Sequence, residues 1–437
     1  MAASATGRSS RHHRRRCGKG PTPENREIPP QTLRKERAIP AIRTTGTPGE
    51  VFRVFLKLGL TSFGGPVAHL GYFRDELVVR RRWVDETAYA DVVALCQFLP
   101  GPASSQVGYA LGLLRGGPLG ALAAWCAFTL PSALMLVLFA LGAAAFDGPV
   151  GAELVHGLKL VAVAVVAQAV WGMARTLTPD RPRAGIALGS LIVIVFVAGS
   201  AGQIAAILFG GIAGLLLCRH AEATPSSHLA FPIPRIVGVV SLALFLALLV
   251  GLPLASAASG GHSVALLDAF YRSGALVFGG GHVVLPLLEA AVVRPGWISP
   301  DAFLTGYGAA QAVPGPLFTF AAYLGTAMTP WPNGIAGAVL CLAAIFLPGL
   351  LLVTGALPFW NAFRTRPMVQ AVTRGTNAAV VGVLGAALYD PVWTSAILSP
   401  RDFATALTGF TLLTVWKTPP WVVVLLTAVS GIASYHL

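Results

Sequence analysis

The residues best suited to chemistry fall in two short stretches, LCQFLPGPASSQ (95–106) and AAQAVPGPLFTF (309–320). Each sets a Pro-Gly-Pro inside an apolar run. Proline fixes φ and donates no backbone N–H, so Pro100, Pro102, Pro314 and Pro316 must interrupt a helix. After Gly101 and Gly315 the second proline suits a first helical position, so a half-helix is expected to start at each break. Its unpaired N–H groups carry the positive end of the helix dipole. Ser104, Ser105 and Gln106 add side-chain donors in the first stretch, and Thr319 in the second. Gln97 and Gln311 precede the two breaks at equal spacing. Donors of this kind suit an anion with several oxygens.

A second pair of motifs, SFGGP (62–66) and FGGGH (278–282), supplies Ser62, Gly64, Gly65 and Pro66, then Gly279 and Gly280. Their glycines allow close backbone approach and a nest of N–H groups. Lys57 and Arg272 occupy matching positions inside apolar stretches, where a cation costs roughly 2.5–3.5 kcal/mol. They are expected to hold the anion's charge; the competing reading is that Lys57 and Arg53 snorkel to the membrane surface. Lys159 poses the same choice. His69, Asp268, His282 and Glu289 are the candidates to carry a coupling proton, against the plainer reading of solvated segment ends.

Other chemistries lack their signatures. The five cysteines are scattered with no CxxC pair, so no metal or dithiol centre is expected. No GxxxxGK[ST] phosphate loop and no HExxH occurs, which argues against ATP coupling within the chain and against hydrolysis. The expectation is therefore a protein that is not an enzyme and uses no cofactor.

These residues must be positioned by membrane helices. The 437-residue chain is 55% hydrophobic and 11% charged, with a mean hydropathy of +0.70. Soluble domains carry about 25% charged residues. Thirteen apolar segments can be traced, at 52–72, 88–112, 118–146, 157–176, 184–199, 203–218, 235–254, 264–290, 302–328, 334–356, 371–389, 402–416 and 420–436. The fold class expected is an all-α polytopic membrane protein with broken or re-entrant helices at the FGG and PGP motifs.

The segments divide six, one, six, and the sixes are alike. At a separation of 214 positions Trp83 pairs with Trp297, Gln97 with Gln311, and Pro100-Gly101-Pro102 with Pro314-Gly315-Pro316. At 215, FLKLG (55–59) meets FYRSG (270–274). TLPS (129–132) meets FLPG (346–349) at 217. An internal duplication is the simplest source. Loop charge alternates between the copies. Loop 73–86 holds Arg74, Arg80, Arg81 and Arg82, whereas 291–301 holds Arg294 alone. Loop 147–156 has no Lys or Arg, but 357–374 has Arg364, Arg366 and Arg374. Under the positive-inside rule the copies are inverted repeats. The expected organisation is a basic cytoplasmic tail (1–50), a first repeat (51–220), a linker with an inverting helix (221–263) and a second repeat (264–437). The N-terminus lies inside and the C-terminus outside. Full crossing by 52–72 would put the arginines of 73–86 outside, so re-entrant hairpins at 52–72 and 88–112 are favoured.

The net charge is +13, and the tail holds 11 Lys/Arg against 4 acids. Such a run can neutralise nucleic-acid phosphates, but a solvated cytoplasmic tail is the simpler reading and no nucleic-acid partner is expected.

FLKLGLTSFGGPVAHLGYF, RRRWVDETAY and QFLPGPASSQVGYALG resemble the first half of the chromate ion transporter (CHR) family. FGGGHVVLPLLE and AAQAVPGPLFTFAAYLG resemble its second half. The resemblance covers about residues 50–437 and matches the long, two-domain form. It implies a plasma-membrane secondary transporter that exports chromate, a tetrahedral dianion shaped like sulfate, driven by the proton or electrical gradient. Matching positions include Lys57, Ser62, Phe63, Gly64, Gly65, Pro66, His69, Trp83, Gln97, Pro100, Gly101, Pro102 and Gln106. In the second half they are Phe278 to His282, Gln311, Pro314, Gly315 and Pro316. Expected partners are the oxyanion and membrane lipid, with a homodimer left open. Sulfate transport, a passive channel and a membrane reductase are the alternatives.

Overall fold

The computed structural model describes residues 46–63, 65–143, 149–197, 200–218, 233–278, 283–360 and 366–434. Gly64, Gly279, Gly280, Gly281 and His282 lie outside the described residues, as does the basic tail before residue 46. The first half contains α1 (Pro48–Thr61), α2 (Gly65–Phe73), α3 (Glu86–Phe98), α4 (Ala103–Ala143), α5 (Pro149–Leu177), α6 (Arg181–Phe196) and α7 (Ser200–Leu217). Next come α8 (Arg235–Ser259), α9 (His262–Ala275), α10 (Val284–Leu288), α11 (Pro300–Ala312) and α12 (Phe320–Ala327). The chain ends with α13 (Gly334–Ala356), α14 (Pro367–Ala387), α15 (Pro400–Thr414) and α16 (Pro420–Ser434). Among the described residues there is no strand.

Helices start where the sequence supplies caps. Asp85 accepts the Ala88 N–H at 2.7 Å to open α3, and Ser299 accepts the Ala302 N–H at 3.2 Å to open α11. Thr47, Asp180 and Ser399 cap α1, α6 and α15 in the same way, each followed by a proline in the first turn. Both α2 and α10 run on into π-helical stretches, Arg74–Arg80 and Glu289–Val293. α4 bends at Gly117 (φ 65°), and Gly334 (φ 56°) starts α13 after a break at the corresponding point of the second half.

Among the described residues, five helical stretches are long and apolar enough to cross a membrane: Ala103–Gly142, His156–Leu177, Arg235–Ser259, Gly334–Phe359 and Pro367–Ala396. The thirteen segments expected from hydropathy resolve into these and a set of shorter pieces. Glycine and proline cut the segments at 52–72, 88–112, 264–290 and 302–328, and the non-helical backbone at Gly116 and Gly117 folds 103–143 into two arms, with Gly112 packed against Gly120. α1, α3, α9 and α11 contain 14, 13, 14 and 13 residues. At 1.5 Å per residue that is about 20 Å, short of a hydrocarbon core of about 30 Å.

Each broken pair turns back to the end it came from. At the start of α1 the Gly46 N–H donates to the Arg115 carbonyl at 2.8 Å, and Glu50 pairs with the Arg115 guanidinium at 3.1 Å. Arg115 also lies over the Trp83 ring at 5.2 Å, so 46–50, Trp83 and Arg115 share one end. In the second half the His262 ring meets Trp297 at 4.7 Å, and the Thr329 N–H donates to the Trp297 carbonyl at 3.2 Å. Long helices join the two ends. The arm of α4 after Gly117 passes Phe73, 5.0 Å from Phe128, and reaches Tyr323, 5.9 Å from Phe139. α13 runs the other way, and Val353 and Leu357 pack into the cluster around Phe55 and Phe128. α8 stands outside this core with most of its apolar surface uncovered, as a lipid-facing helix would be.

The hairpins predict a labelling pattern in a cysteine-free background. Gly49→Cys and Thr87→Cys should react with an impermeant maleimide from one membrane face, and Ser259→Cys and Thr329→Cys from the other. Labelling of positions 49 and 87 from opposite faces would remove the first hairpin.

Candidate functional site

An unwound backbone inside an apolar layer needs partners, because a buried amide left without a hydrogen bond costs several kcal/mol. Here each half supplies the other's. The Gly101 N–H donates to the Val277 carbonyl at 2.7 Å, and the Gly315 N–H donates to the Ser62 carbonyl at 2.9 Å. Val277 and Ser62 each stand immediately before the Phe of an FGG motif. Each PGP turn therefore docks on the residue that leads into the FGG motif of the other half. Gly101 and Gly315 adopt φ of 123° and 108°, a region that side chains rarely enter. Space is also short. A Cβ on Gly101 would stand 2.8 Å from the Gln106 amide nitrogen and 3.1 Å from the Gly349 Cα. One on Gly315 would stand 2.8 Å from the Ser132 hydroxyl. Ser132 and Gly349 are the matched ends of TLPS and FLPG, on α4 and α13.

The polar side chains at this crossing are buried. α4 begins one residue after Pro102, and its first regular bond is Gln106 N–H to the Pro102 carbonyl at 2.9 Å. The N–H groups of Ala103, Ser104 and Ser105 thus form the open first turn. Ser104 Oγ lies 3.3 Å from His69 Nδ1, and the His69 ring stands edge-on to Phe128 at 5.3 Å. Ser62 Oγ, His69 Nε2, Ser105 Oγ and Gln311 Nε2 are buried with no hydrogen-bond partner among the described residues. Thr129 Oγ1, in the TLPS motif, joins them. Sequence reasoning did not assign Thr129 to the site; the matched TLPS and FLPG motifs were the available signal.

Several expected ligands stand elsewhere or are already engaged. The Gly101 and Gly315 N–H groups close the crossing instead of pointing into it. Gln106 donates Nε2 to the carbonyls of Pro100 (2.9 Å) and Gly349 (3.0 Å), so it braces the first turn. The Thr319 hydroxyl donates back to the Pro316 carbonyl at 2.7 Å. Gln97 is exposed, although its counterpart Gln311 is not. Pro66 sits in the first turn of α2, where a missing N–H disrupts nothing.

The two cations are held away from the crossing. Lys57 is half-exposed, and its Nζ pairs at 3.0 Å with Glu76, which also binds Arg80 and Arg81. Arg272 pairs with Asp268 one turn earlier on α9. Glu289 lies 3.9 Å from Arg294. Lys159 pairs with Asp301 at 2.5 Å, tying α5 to α11. The physical reason is common to all of them. A cation in an apolar layer takes the nearest carboxylate, and the sequence does not reveal which carboxylate folding brings close.

Multiple apolar helices with paired interruptions meeting at a buried polar centre define a polytopic membrane protein of transporter type. The family model described as Chromate transporter matches residues 49–215 and again 264–432. This chain belongs to the chromate transporter family, whose members are transporters, not enzymes. It is 28% identical over 394 residues to the "Chromate transport protein" of Pseudomonas aeruginosa, covering 88% of this chain and 91% of that one. The "Probable chromate transport protein" of Synechococcus elongatus is 27% identical over 398 residues, covering 88% of this chain and 94% of that one. The "Chromate transport protein" of Cupriavidus metallidurans is 26% identical over 404 residues, covering 90% and 94%. No solved structure matches the chain.

The brace at Gln106 is testable apart from transport. Gln106→Glu sets a carboxylate against two carbonyls and should lower thermal stability in detergent more than Gln106→Met. Leaving a buried acceptor unpaired costs about 1–3 kcal/mol. A wild-type melting temperature for Gln106→Glu would show that those bonds do not form.

Proposed function

We propose that the protein exports chromate across the inner membrane, binding the anion at the crossed breaks between two inverted repeats, 51–220 and 264–437. The observation that carries this reading is the reciprocal pair of bonds from Gly101 and Gly315. They bring the open first turn of α4 together with buried groups from both halves, among them Ser62, His69, Ser104, Ser105 and Gln311. Helix N-terminal amides and neutral hydroxyls suit a tetrahedral dianion, and without a fixed lysine or arginine the anion also leaves readily. The double match of the family model and the "chromate transport" names of the relatives support the substrate.

The N-terminus is assigned to the cytoplasm. The end bearing Trp83 and Arg115 is also where Arg74 and Arg80–Arg82 lie, and the end bearing Trp297 has Arg294. That asymmetry follows the positive-inside rule and sets the C-terminus outside. The linker 221–263, through α8, is the element that inverts the second repeat. Among the described residues His69 is the ionisable side chain at the centre and the candidate proton carrier, with transport driven by the proton or electrical gradient. Asp268 and Glu289, paired with arginines away from the crossing, are secondary candidates for that role.

Chromate flux in proteoliposomes under separately imposed pH and voltage gradients tests this. Accumulation against a concentration difference, competed by sulfate, is expected. Movement that only equalises concentrations would identify a channel, and a change in chromium oxidation state would identify a reductase. Ser104→Val and His69→Gln should each lower flux about tenfold or more, as expected for losing one hydrogen bond to a charged group. Lys57→Ala should stay within about threefold of wild type, because Arg81 still pairs with Glu76 and exposed pairs contribute little. Reversal of that order would return the site to Lys57.

A further inference from the structure

A cavity of about 270 Å³ opens between α7, α8, α9 and the π-helical stretch after α10, apart from the crossed breaks. Arg272 and Asp268 are its charged lining, with Gln203, Ser256 and Ser273 beside them and Trp297 in its wall. The Gln203 amide donates to the Pro286 carbonyl at 2.7 Å, and the Ser273 hydroxyl donates to the Ala269 carbonyl at 2.7 Å. Arg272 is thus the main source of donors. A guanidinium carries five N–H groups, and one carboxylate engages at most two of them side by side.

The other half shows what such a space holds. At a separation of 215 positions Arg272 corresponds to Lys57, and Ala291 corresponds to Glu76. Glu76 stands on the π-helical stretch after α2, and its buried carboxylate takes Lys57, Arg80 and Arg81. Ala291 stands on the matching π-helical stretch and lines the cavity. Where the first half carries its own carboxylate against the helix cation, the second half carries a methyl group, a cavity and an arginine.

We propose that this cavity is a second anion site, in which a small oxyanion takes the place that Glu76 fills in the first half. Asp268 is its competitor, because carboxylate and oxyanion claim the same guanidinium. Leu276, in the cavity wall, is followed by Val277, whose carbonyl receives the Gly101 N–H. The site is therefore a vestibule beside the crossing, at the end bearing Trp297. The other ionisable groups nearby are already engaged: Glu289 faces Arg294 at 3.9 Å, and His262 packs on Trp297 at 4.7 Å. The choice of chromate as ligand rests on the transport reading above; the site itself does not.

The experiment uses the purified full chain and potassium chromate, which absorbs where tryptophan emits and so quenches it. Wild type should show a saturable quenching component that Trp297→Phe removes and sulfate competes away. Arg272→Gln should abolish that component, and so should Ala291→Glu, which restores the first half's carboxylate. Asp268→Asn should tighten it about five- to tenfold, within the usual range of a coupling free energy. A gain in affinity is not a product of misfolding, so the Asp268 variant decides the matter if the others fold poorly. Equal titrations of wild type, Arg272→Gln and Asp268→Asn would overturn the site, as would a wild type with no Trp297-dependent component. If wild-type proteoliposomes move chromate while these titrations coincide, the vestibule fails and the transporter stands. If the Trp297 signal behaves as stated and no chromate moves, the site stands and the transport reading fails.

Discussion

Two backbone hydrogen bonds, from Gly101 to Val277 and from Gly315 to Ser62, constrain the rest of this molecule. Four helices stop partway through an apolar layer, and no water is there to take up the amides they leave. Two of those amides are satisfied by the opposite half, so neither half is complete alone. That requirement fixes other features. The turns must carry glycine because φ lies near 110–120° and neighbouring atoms leave no room for a Cβ. Ser132 and Gly349 must be small because the opposing turn packs on them. α4 and α13 must run the full depth because each lends residues to the cluster around its own hairpins and to the one around the other's.

Among the described residues, charge is distributed around that crossing rather than inside it. The Glu76 cluster with Lys57, Arg80 and Arg81 belongs to one hairpin, and Arg272 with Asp268 to its counterpart. Lys159 with Asp301 (2.5 Å) and His156 with Asp402 (2.8 Å) tie α5 to α11 and α15. Each pair has one largely buried member, which losing its partner would leave uncompensated, so the pairs help fix which helices neighbour which. The centre is left to hydroxyls, an imidazole and a helix start. On the proposed reading, a centre of that composition offers an anion many weak, directed donors. It holds less tightly than a fixed cation in a low-dielectric site, which favours release over storage.

The matched positions also show how a duplicated architecture diverges. Phe55 and Phe270, and Trp83 and Trp297, keep their packing roles. Lys57 and Arg272 keep their charge but change partner, one across to a π-helical stretch and one along its own helix. Gln97 and Gln311 keep their identity and differ in burial. Side-chain chemistry at equivalent positions has drifted, while the backbone breaks have not, because the breaks alone are needed by both halves at once.

What could be read from the amino-acid sequence was whatever covalent geometry dictates locally. Proline without an N–H, glycine without a Cβ and Ser, Thr or Asp before a helix act within a few residues. Pro100, Pro102, Pro314 and Pro316 were therefore legible, as were the apolar class and the matched motifs; the caps of α1, α3 and α11 act over the same short range. Which groups face one another was decided only by the tertiary structure. Glu76 reaches Lys57 from 19 positions away, Gly101 finds Val277 in the other half, and Gln106 turns its donors to Pro100 and Gly349. A side chain's residue type states what bond it can make. Only the packing of distant helices determines whether that bond goes to a ligand or to the protein itself.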